Sequence, residues 1–274
     1  FPAIDYWQYT MDHEYLETKL YDYLKGCAVF YESWLEKDDN GQYNMYAGYH
    51  ENSWGYNPAV ELTTVWYLFD TIVDASETLG VDEDKRELWT DIRDNLAPQP
   101  TSEYNGKTVY ALAEKSWNGS AYVEMTSPVP ADGNAIPLES IGQCNRLGYF
   151  STAEELQTAR NTIDVFDGTD GWNQVNNFPR IFTMAVRARY DINQVVENFA
   201  RVINTNMKPN LRISDPYHGV EKSGATESVN SMMMQTDKEI TKLFPNWYTD
   251  KDAKFVSLRA KGAFTVSAEY DGTA

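Results

Sequence analysis

The chain alternates between stretches in which apolar residues recur every three or four positions and stretches in which they alternate by two. The first spacing puts apolar side chains on one side of a helix, and the second is typical of a strand. The helical spacing covers residues 14–35 and returns from Leu62 to a stop near Gly80. A third helix is predicted behind an Asp82 cap and ends before Pro98. The short connection between these last two helices predicts an antiparallel pair.

After Pro98 the spacing of apolar residues predicts further helices, followed by a change from helical spacing to alternation by two. The helices are predicted at 138–147, at 153–163 with a Ser151 and Glu154 capping box, at 173–190 with a kink at Pro179, at 192–203 behind Asp191, and at 225–235. Prolines, glycines and short extended runs between Pro98 and Pro137 predict a long excursion with one or two strands. Beyond Glu239 the alternation by two predicts strands around a turn at Lys261-Gly262.

These elements predict a mainly α fold in which antiparallel helix pairs surround a central cleft. We expect a partial α/α toroid over residues 1–238 and a small antiparallel β segment over residues 239–274. The helices are too few for a closed ring, and no strict repeat period is visible.

Charge and composition exclude several classes of function. Asp and Glu number 41 against 23 Lys and Arg, which gives a net charge of -18 and disfavours binding to nucleic acid or anionic lipid. No apolar run is long enough to cross a bilayer, and the first residues do not have the pattern of a signal peptide, so we expect any export signal to lie outside this sequence. The two cysteines, Cys27 and Cys144, match no zinc or redox spacing and are interpreted as free thiols.

One segment, residues 49–58, concentrates a carboxylate, an imidazole and several aromatic rings directly before a predicted helix. Aromatic faces can pack on the C–H faces of a sugar while their polar edges stay wet, and a carboxyl group among them is poorly solvated. We expect a loop here, followed by a helix that is capped by Asn57 and has Pro58 at its first position.

Four further runs carry a family resemblance. They read SVNSMMMQTD at 228–237, ITKLFPNW at 240–247, LRAKGAFTV at 258–266 and NPAVEL at 57–62. In order, in spacing and in the change from helix to strand, the first three resemble the end of glycoside hydrolase family 95, the fucosidase-like secreted hydrolases. The fourth resembles the helix that follows the family's general-acid loop.

The resemblance implies a fold, an activity and a context. It implies an α/α toroid that passes into a C-terminal β domain, and inverting hydrolysis of glycosidic bonds in an oligosaccharide or glycan, with an α-L-fucosidase or α-galactosidase as the expected type. Family members also carry an N-terminal β-sandwich and earlier toroid helices. We therefore expect a secreted, longer parent enzyme in which those domains are partners of this chain, and poor activity of the chain alone.

The resemblance also guides the choice of site residues. Inverting hydrolysis needs one carboxylic acid and one carboxylate that activates water. Glu51 is predicted as the acid, with an ordinary surface carboxylate as its alternative. Asp132 is predicted as the base, although Glu124 and Glu139 compete with it and a turn role before Gly133 explains it equally well. The predicted sugar contacts are His50, Trp54, Tyr56, His218 and Glu221. The histidine-rich loop that holds the base in typical fucosidases is not found at 113–143.

No cofactor or metal is predicted, because phosphate loops, nucleophile triads and metal-ligand spacings are missing from the sequence. Two other classes remain open. A non-catalytic toroid that binds carbohydrate or supports other domains would have no pair of carboxylates in one cleft. A helical protein-interaction module would expose an apolar groove instead.

Overall fold

The structure is a computed structural model that describes residues 1–125, 133–142, 144–148, 150–174, 176–213, 224–237 and 240–273. Helical segments provide most of the regular structure in these ranges. They are α1 (Pro2–Thr10), α2 (His13–Tyr15), α3 (Tyr21–Trp34), α4 (Ala59–Leu79), α5 (Glu83–Asp94), α6 (Glu139–Gly142), α7 (Ala153–Asp167), α8 (Arg180–Arg187), α9 (Ile192–Asn206) and α10 (Ala225–Met233). Short 3₁₀ segments lie at Ile136–Leu138 and Gly171–Asn173.

The strands form small antiparallel sheets. They are β1 (Glu36–Lys37), β2 (Tyr43–Asn44), β3 (Tyr46–His50), β4 (Ser53–Pro58), β5 (Thr101–Tyr104), β6 (Lys107–Tyr110), β7 (Ala113–Trp117), β8 (Tyr122–Glu124), β9 (Met234–Asp237), β10 (Ile240–Leu243), β11 (Ala253–Ala260) and β12 (Phe264–Tyr270). One sheet has four strands in the order β3-β4-β7-β8, and the other strands pair two by two.

The helix predicted at 14–35 is confirmed. It consists of α2, a π-helical turn at Leu16–Leu20 and α3, which follow one another without interruption. Leu16, Leu20 and Leu24 point into the core, as their spacing predicted. Helix α1 was not predicted, because its few apolar positions give a weak pattern. Ile4 and Trp7 nevertheless anchor it in the same core.

The segment 49–58 is a β-hairpin, so the predicted loop and the predicted Asn57 cap are wrong. Strands β3 and β4 pair with Tyr46 opposite Tyr56, and the turn contains Asn52 in the left-handed region at φ 56°. Asn57 lies inside β4, where its side chain bonds neighbouring strands, and Pro58 takes the N-cap position of α4 without a side-chain cap. Trp54 and Tyr56 are two positions apart and share one face of the sheet, and this spacing was the signal for a strand.

The pair α4 and α5 follows the prediction closely. Gly80 ends α4 in the left-handed conformation at φ 67°, and α5 packs back against α4 after a short connection. Asp82 precedes α5 as predicted, but its carboxylate makes no cap. It accepts instead from the Tyr21 hydroxyl at 2.9 Å and from Lys25 at 2.7 Å, which ties α3 to the start of α5.

The chain after Pro98 departs from the prediction in four places. The helix predicted at 138–147 is reduced to the four residues of α6, and the described residues 144–148 are not helical. The capping box of α7 uses Thr152 and Glu155, one residue later than predicted, because Thr152 has the extended backbone that a cap requires. Pro179 begins α8 instead of kinking a longer helix. The excursion after Pro98 contains the four strands β5 to β8, where one or two were expected, and two of them complete the sheet with β3 and β4.

The β tail is confirmed in its main hairpin. Strands β11 and β12 pair around the Lys261-Gly262 turn, and the Gly262 amide donates to the Gln8 carbonyl at 2.8 Å, which fastens the hairpin to α1. Two apolar clusters form the core. One surrounds α1 to α5, and the other surrounds α6 to α10 and includes Phe255 of β11. The mainly α class is confirmed, whereas closure of the helices into a toroid and the boundary at residue 238 stay predictions. None of the helices in the described ranges combines the length and apolar character of a bilayer-spanning segment.

Candidate functional site

A cavity of about 460 Å³, called the cleft below, opens where several helices begin. Its walls come from the segment before α1, the end of β3, the first turns of α4, the 3₁₀ turn and α6, and the start of α8. The lining residues are Phe1, Gly48, Tyr49, His50, Val60, Glu61, Thr63, Thr64, Asn134, Ile136, Glu139, Cys144 and Arg180.

Glu61 is the most unusual carboxyl group in the cleft. Its Oε2 atom is shielded from solvent and has no hydrogen-bond partner among the described residues. Burial raises the pKa of Glu61 to about 7, although a backbone hydrogen bond at the start of α4 acts in the opposite direction. The effect of desolvation on the pKa therefore outweighs that of the backbone hydrogen bond. In a large fraction of the molecules Glu61 keeps its proton at neutral pH.

A second carboxyl group, Glu139, lies in the cleft at the first position of α6. Its side chain is about nine-tenths buried and forms an ion pair with Arg180 at the start of α8. Arg180 also donates to the side chain of Asn134 and to the Asn176 carbonyl. Burial raises the pKa of Glu139 and the Arg180 charge opposes that rise only in part. Glu139 is thus a carboxylate that an arginine holds in place and that is more basic than an ordinary glutamate.

The structure brings only part of the predicted hairpin site into the cleft. His50 lines the cleft with Tyr49, whose hydroxyl donates to Ser116 Oγ at 3.2 Å across the sheet. Glu51 follows His50 in the turn and is exposed to solvent. It is therefore at the rim of the cleft, and the enclosure by Trp54 and Tyr56 that the sequence suggested for it is not observed.

Trp54 and Tyr56 contribute to the face of the four-stranded sheet that carries the aromatic rings. Trp54 pairs with Gly48 and Tyr56 with Tyr46, and the rings of Tyr46 and Tyr56 are 4.9 Å apart. Lys115 lies over the Tyr56 ring at 5.7 Å. These two predicted sugar contacts are thus grouped with other aromatic residues beside the cleft and do not line it.

The remaining predicted residues are placed as follows. Asp132, His218 and Glu221 fall outside the described residues. Of the two residues that competed with Asp132 for the role of base, Glu124 is exposed at the end of β8, and Glu139 is in the cleft.

Two larger cavities occur elsewhere in the structure. One, of about 740 Å³, lies between α1, α8, α10 and the β11–β12 turn, and the other, of about 780 Å³, lies beside α4 and the same turn. Neither contains Glu61 or Glu139. In the described part of the chain, no group of three or more His, Cys, Asp or Glu side chains is arranged to hold a metal ion. Cys27 and Cys144 are both free thiols.

The chemistry available in the cleft is proton transfer between oxygen atoms. Glu61 can give a proton near neutral pH, and Glu139 can accept one while Arg180 fixes its orientation. A sugar hydroxyl in the cleft would also meet the side chains of Thr63, Thr64 and Asn134. Two carboxyl groups with different surroundings are what hydrolysis of a glycosidic bond requires.

The comparison with protein families agrees with this chemistry. The model of the glycosyl hydrolase family 95 catalytic domain matches residues 2–108. Those residues are similar to a family 95 catalytic domain. The resemblance to family 95 that the sequence indicated is thereby confirmed over the first part of the chain, which contains His50, Glu51 and Glu61. The runs after residue 228, where we found the most detailed resemblance, lie outside the match. No curated protein matches the chain.

Sequence reasoning missed Glu61 and Arg180. Glu61 stands inside the run at 57–62 that resembles family 95, but a glutamate in the first turn of a helix is usually explained by the helix dipole. Its buried surroundings depend on Phe1, Ile136 and Cys144, which are far away in sequence. Arg180 follows a proline and gave no signal, because its partner Glu139 is 41 positions earlier.

Proposed function

We propose that this protein is a glycoside hydrolase whose reaction takes place in the cleft at the start of α4. The observation that carries the proposal is the Glu61 carboxyl group. It lies in the cleft, one of its oxygen atoms has no partner among the described residues, and burial raises its pKa to about 7. The match of residues 2–108 to a glycoside hydrolase catalytic domain supports the same conclusion independently.

In the proposed reaction Glu61 is the general acid. It donates its proton to the glycosidic oxygen as the bond to the anomeric carbon breaks. Glu139, held by Arg180, takes a proton from a water molecule that attacks the other side of the sugar, so that the product has the inverted configuration. Asp132 remains an alternative for the base, and Glu51 at the rim remains an alternative for the acid.

The proposal extends to the type of substrate and to the context of the enzyme. The family resemblance supports an α-L-fucoside or an α-galactoside at the non-reducing end of a glycan. It also supports a secreted parent protein, in which further domains assist the cleft. Carbohydrate is the partner that the net charge of -18 favours over nucleic acid or anionic membranes.

The experiment compares single carboxyl variants of the full chain. Aryl α-L-fucosides and aryl α-galactosides with good and poor leaving groups are the substrates, and proton NMR of the first product gives the anomeric configuration. With Glu61→Gln, kcat on the poor leaving group should fall by about 10²-fold to 10⁴-fold. The good leaving group needs less protonation and should lose much less. The exposed Glu77→Gln on the same helix is the matched control.

Other outcomes would distinguish the alternatives for the acid, for the function and for the stereochemistry. If Glu51→Gln shows this leaving-group pattern while Glu61→Gln keeps wild-type turnover, the acid is Glu51 and the role proposed for Glu61 is wrong. If the wild-type chain binds oligosaccharides and neither it nor the longer parent protein hydrolyses any of the substrates, the carbohydrate-binding or scaffolding alternative is favoured. An initial product that retains its configuration would contradict the inverting mechanism.

A further inference from the structure

One face of the four-stranded sheet carries a group of aromatic rings, called the ring face below. It consists of Tyr46, Trp54, Tyr56, Trp117 and Tyr122. Residues paired across antiparallel strands share a face, and so do alternate residues of one strand. Tyr46 pairs with Tyr56, Tyr56 with Lys115 and Trp117 with Tyr122, which places all five rings on the same side.

Four of the rings, those of Tyr56, Tyr46, Tyr122 and Trp117, form a chain of contacts. The chain does not follow the strand order, because Tyr46 of the edge strand β3 meets Tyr122 of the opposite edge strand β8. The centroid distances are 4.9 Å from Tyr56 to Tyr46, 5.0 Å from Tyr46 to Tyr122 and 5.0 Å from Tyr122 to Trp117. The two tryptophans remain open to solvent, with Trp54 44% and Trp117 42% exposed. Neighbouring rings hold each other in position, so little side-chain freedom remains to be lost when a ligand packs on them.

The composition of this face favours a sugar chain over another protein surface. In these four strands no leucine, isoleucine, valine or methionine contributes to the ring face, whereas aliphatic side chains are typical of helix-binding grooves. The non-aromatic positions include Lys115 and Glu124, which lie opposite each other on β7 and β8. Flat rings with hydroxyl and indole N–H groups at their edges match the alternation of C–H faces and hydroxyl groups on a pyranose.

The ring face is continuous with the cleft. Gly48 pairs with Trp54 on the ring face and also lines the cleft next to His50. The ring face and the cleft therefore share this residue of β3.

We infer that the ring face binds an uncharged polysaccharide chain and holds it so that one end enters the cleft. This inference rests on the proposed function, because it makes a polymeric glycan the substrate class of the same site. The charge of -18 disfavours an anionic polysaccharide, so the inference is restricted to neutral chains.

The test measures binding without turnover, so its result does not depend on whether the cleft is catalytic. Galactomannan and xylan serve as neutral probes and polygalacturonate as an anionic probe in native affinity electrophoresis. The full chain should be retarded by at least one neutral polysaccharide and not by polygalacturonate. Trp117→Ala and Tyr122→Ala should each weaken the binding at least about tenfold. Tyr104→Ala, an exposed tyrosine on β5, should bind as the wild type does.

Several results would overturn the inference. They are the absence of retardation by either neutral polysaccharide, unchanged binding in both ring-face variants, and equal binding of polygalacturonate. Self-association that disappears in the same variants would also overturn it, because a second copy would then occupy the face. If a variant unfolds, quenching of tryptophan fluorescence by the neutral polysaccharide in the wild-type chain decides the question, and its absence counts against the inference.

Discussion

The side-chain oxygen of Asn57 accepts a hydrogen bond from the Met45 amide at 3.0 Å, and both groups are buried. The Asn57 side-chain amide donates in turn to Asn44 at 2.8 Å and to Glu114 at 2.9 Å. One residue therefore ties the start of β3, the end of β4 and strand β7 together. These strands carry His50 into the cleft and Trp54 onto the ring face.

Replacement of Asn57 should destabilise the protein strongly. Asn57→Ala leaves the buried Met45 amide without its acceptor. It also removes one donor to Asn44 and one to Glu114, and it puts alanine at a φ of 49°. We expect a loss of about 2–4 kcal/mol in the free energy of unfolding, measured by urea denaturation. Asn52→Gly, at φ 56° in the exposed hairpin turn, is the control and should change stability by less than about 0.5 kcal/mol. A loss equally small for Asn57→Ala would contradict the role of this network.

Asn57 and Asp191 show which features can be predicted from the local sequence and which cannot. Helices α4, α5 and α9 were predicted because their periodicity and their stop signals are local, and the cap of α9 is local as well. Asp191 caps α9 by accepting from the amides of Asn193 and Gln194, as its position predicted. Asn57 before a proline and a helix gives the same local signal. The pairing of β4 with β7 overrides it, and that pairing joins residues more than 50 positions apart.

The candidate site was predictable only in part for the same reason. His50 was found because aromatic and titratable residues are concentrated around it in sequence. The raised pKa of Glu61 depends on burial by distant segments, and the Glu139 and Arg180 pair depends on the packing of α6 against α8. No local pattern contains that information. The helical spacing at 138–147 predicted a helix around Glu139, but it carried no information about the ion pair with Arg180.

Removal of Arg180 should leave a buried charge without its partner. For Arg180→Met we expect a loss of about 3–5 kcal/mol in the free energy of unfolding at pH 8, because the Glu139 carboxylate then has no counter-charge in the cleft. The double variant Arg180→Met with Glu139→Gln should recover much of this loss. The control is Arg201→Ala, which breaks the exposed ion pair with Asp170 and should cost less than about 1 kcal/mol. Additive losses in the double variant would show that the two residues do not interact.

A methyl group at Gly55 should disrupt the four-stranded sheet. A Cβ atom there would lie 2.7 Å from Tyr49 Cδ1 and 2.8 Å from the Lys115 carbonyl oxygen. Gly55→Ala should therefore destabilise the protein by about 1–3 kcal/mol and shift the tryptophan fluorescence of the ring face. Gly26→Ala is a control of opposite sign, since a Cβ at Gly26 in α3 meets nothing within 4 Å and should stabilise the helix by about 0.5–1 kcal/mol. Thermal unfolding of the two variants gives the comparison, and a neutral Gly55→Ala would mean that Tyr49 does not pack against β4.

Glu61 should make stability depend on pH in the direction opposite to that of an ion-paired carboxylate. Burial raises the pKa of Glu61 from an ordinary 4.5 to about 7, so between these values the folded state binds more protons than the unfolded state. Its contribution is fully present below about pH 4.5 and is lost as the pH rises through about 7. The complete shift corresponds to about 3 kcal/mol, which partial access of solvent to the side chain reduces to about 1–2 kcal/mol.

The measurement is the free energy of unfolding from pH 4.5 to pH 8 for the wild type, Glu61→Gln and the exposed control Glu77→Gln. The wild type should lose stability relative to Glu61→Gln over this interval, while Glu77→Gln should follow the wild type. Parallel curves for the wild type and Glu61→Gln would show that this carboxyl group titrates normally, and the assignment of Glu61 as the proton donor of the cleft would then fail.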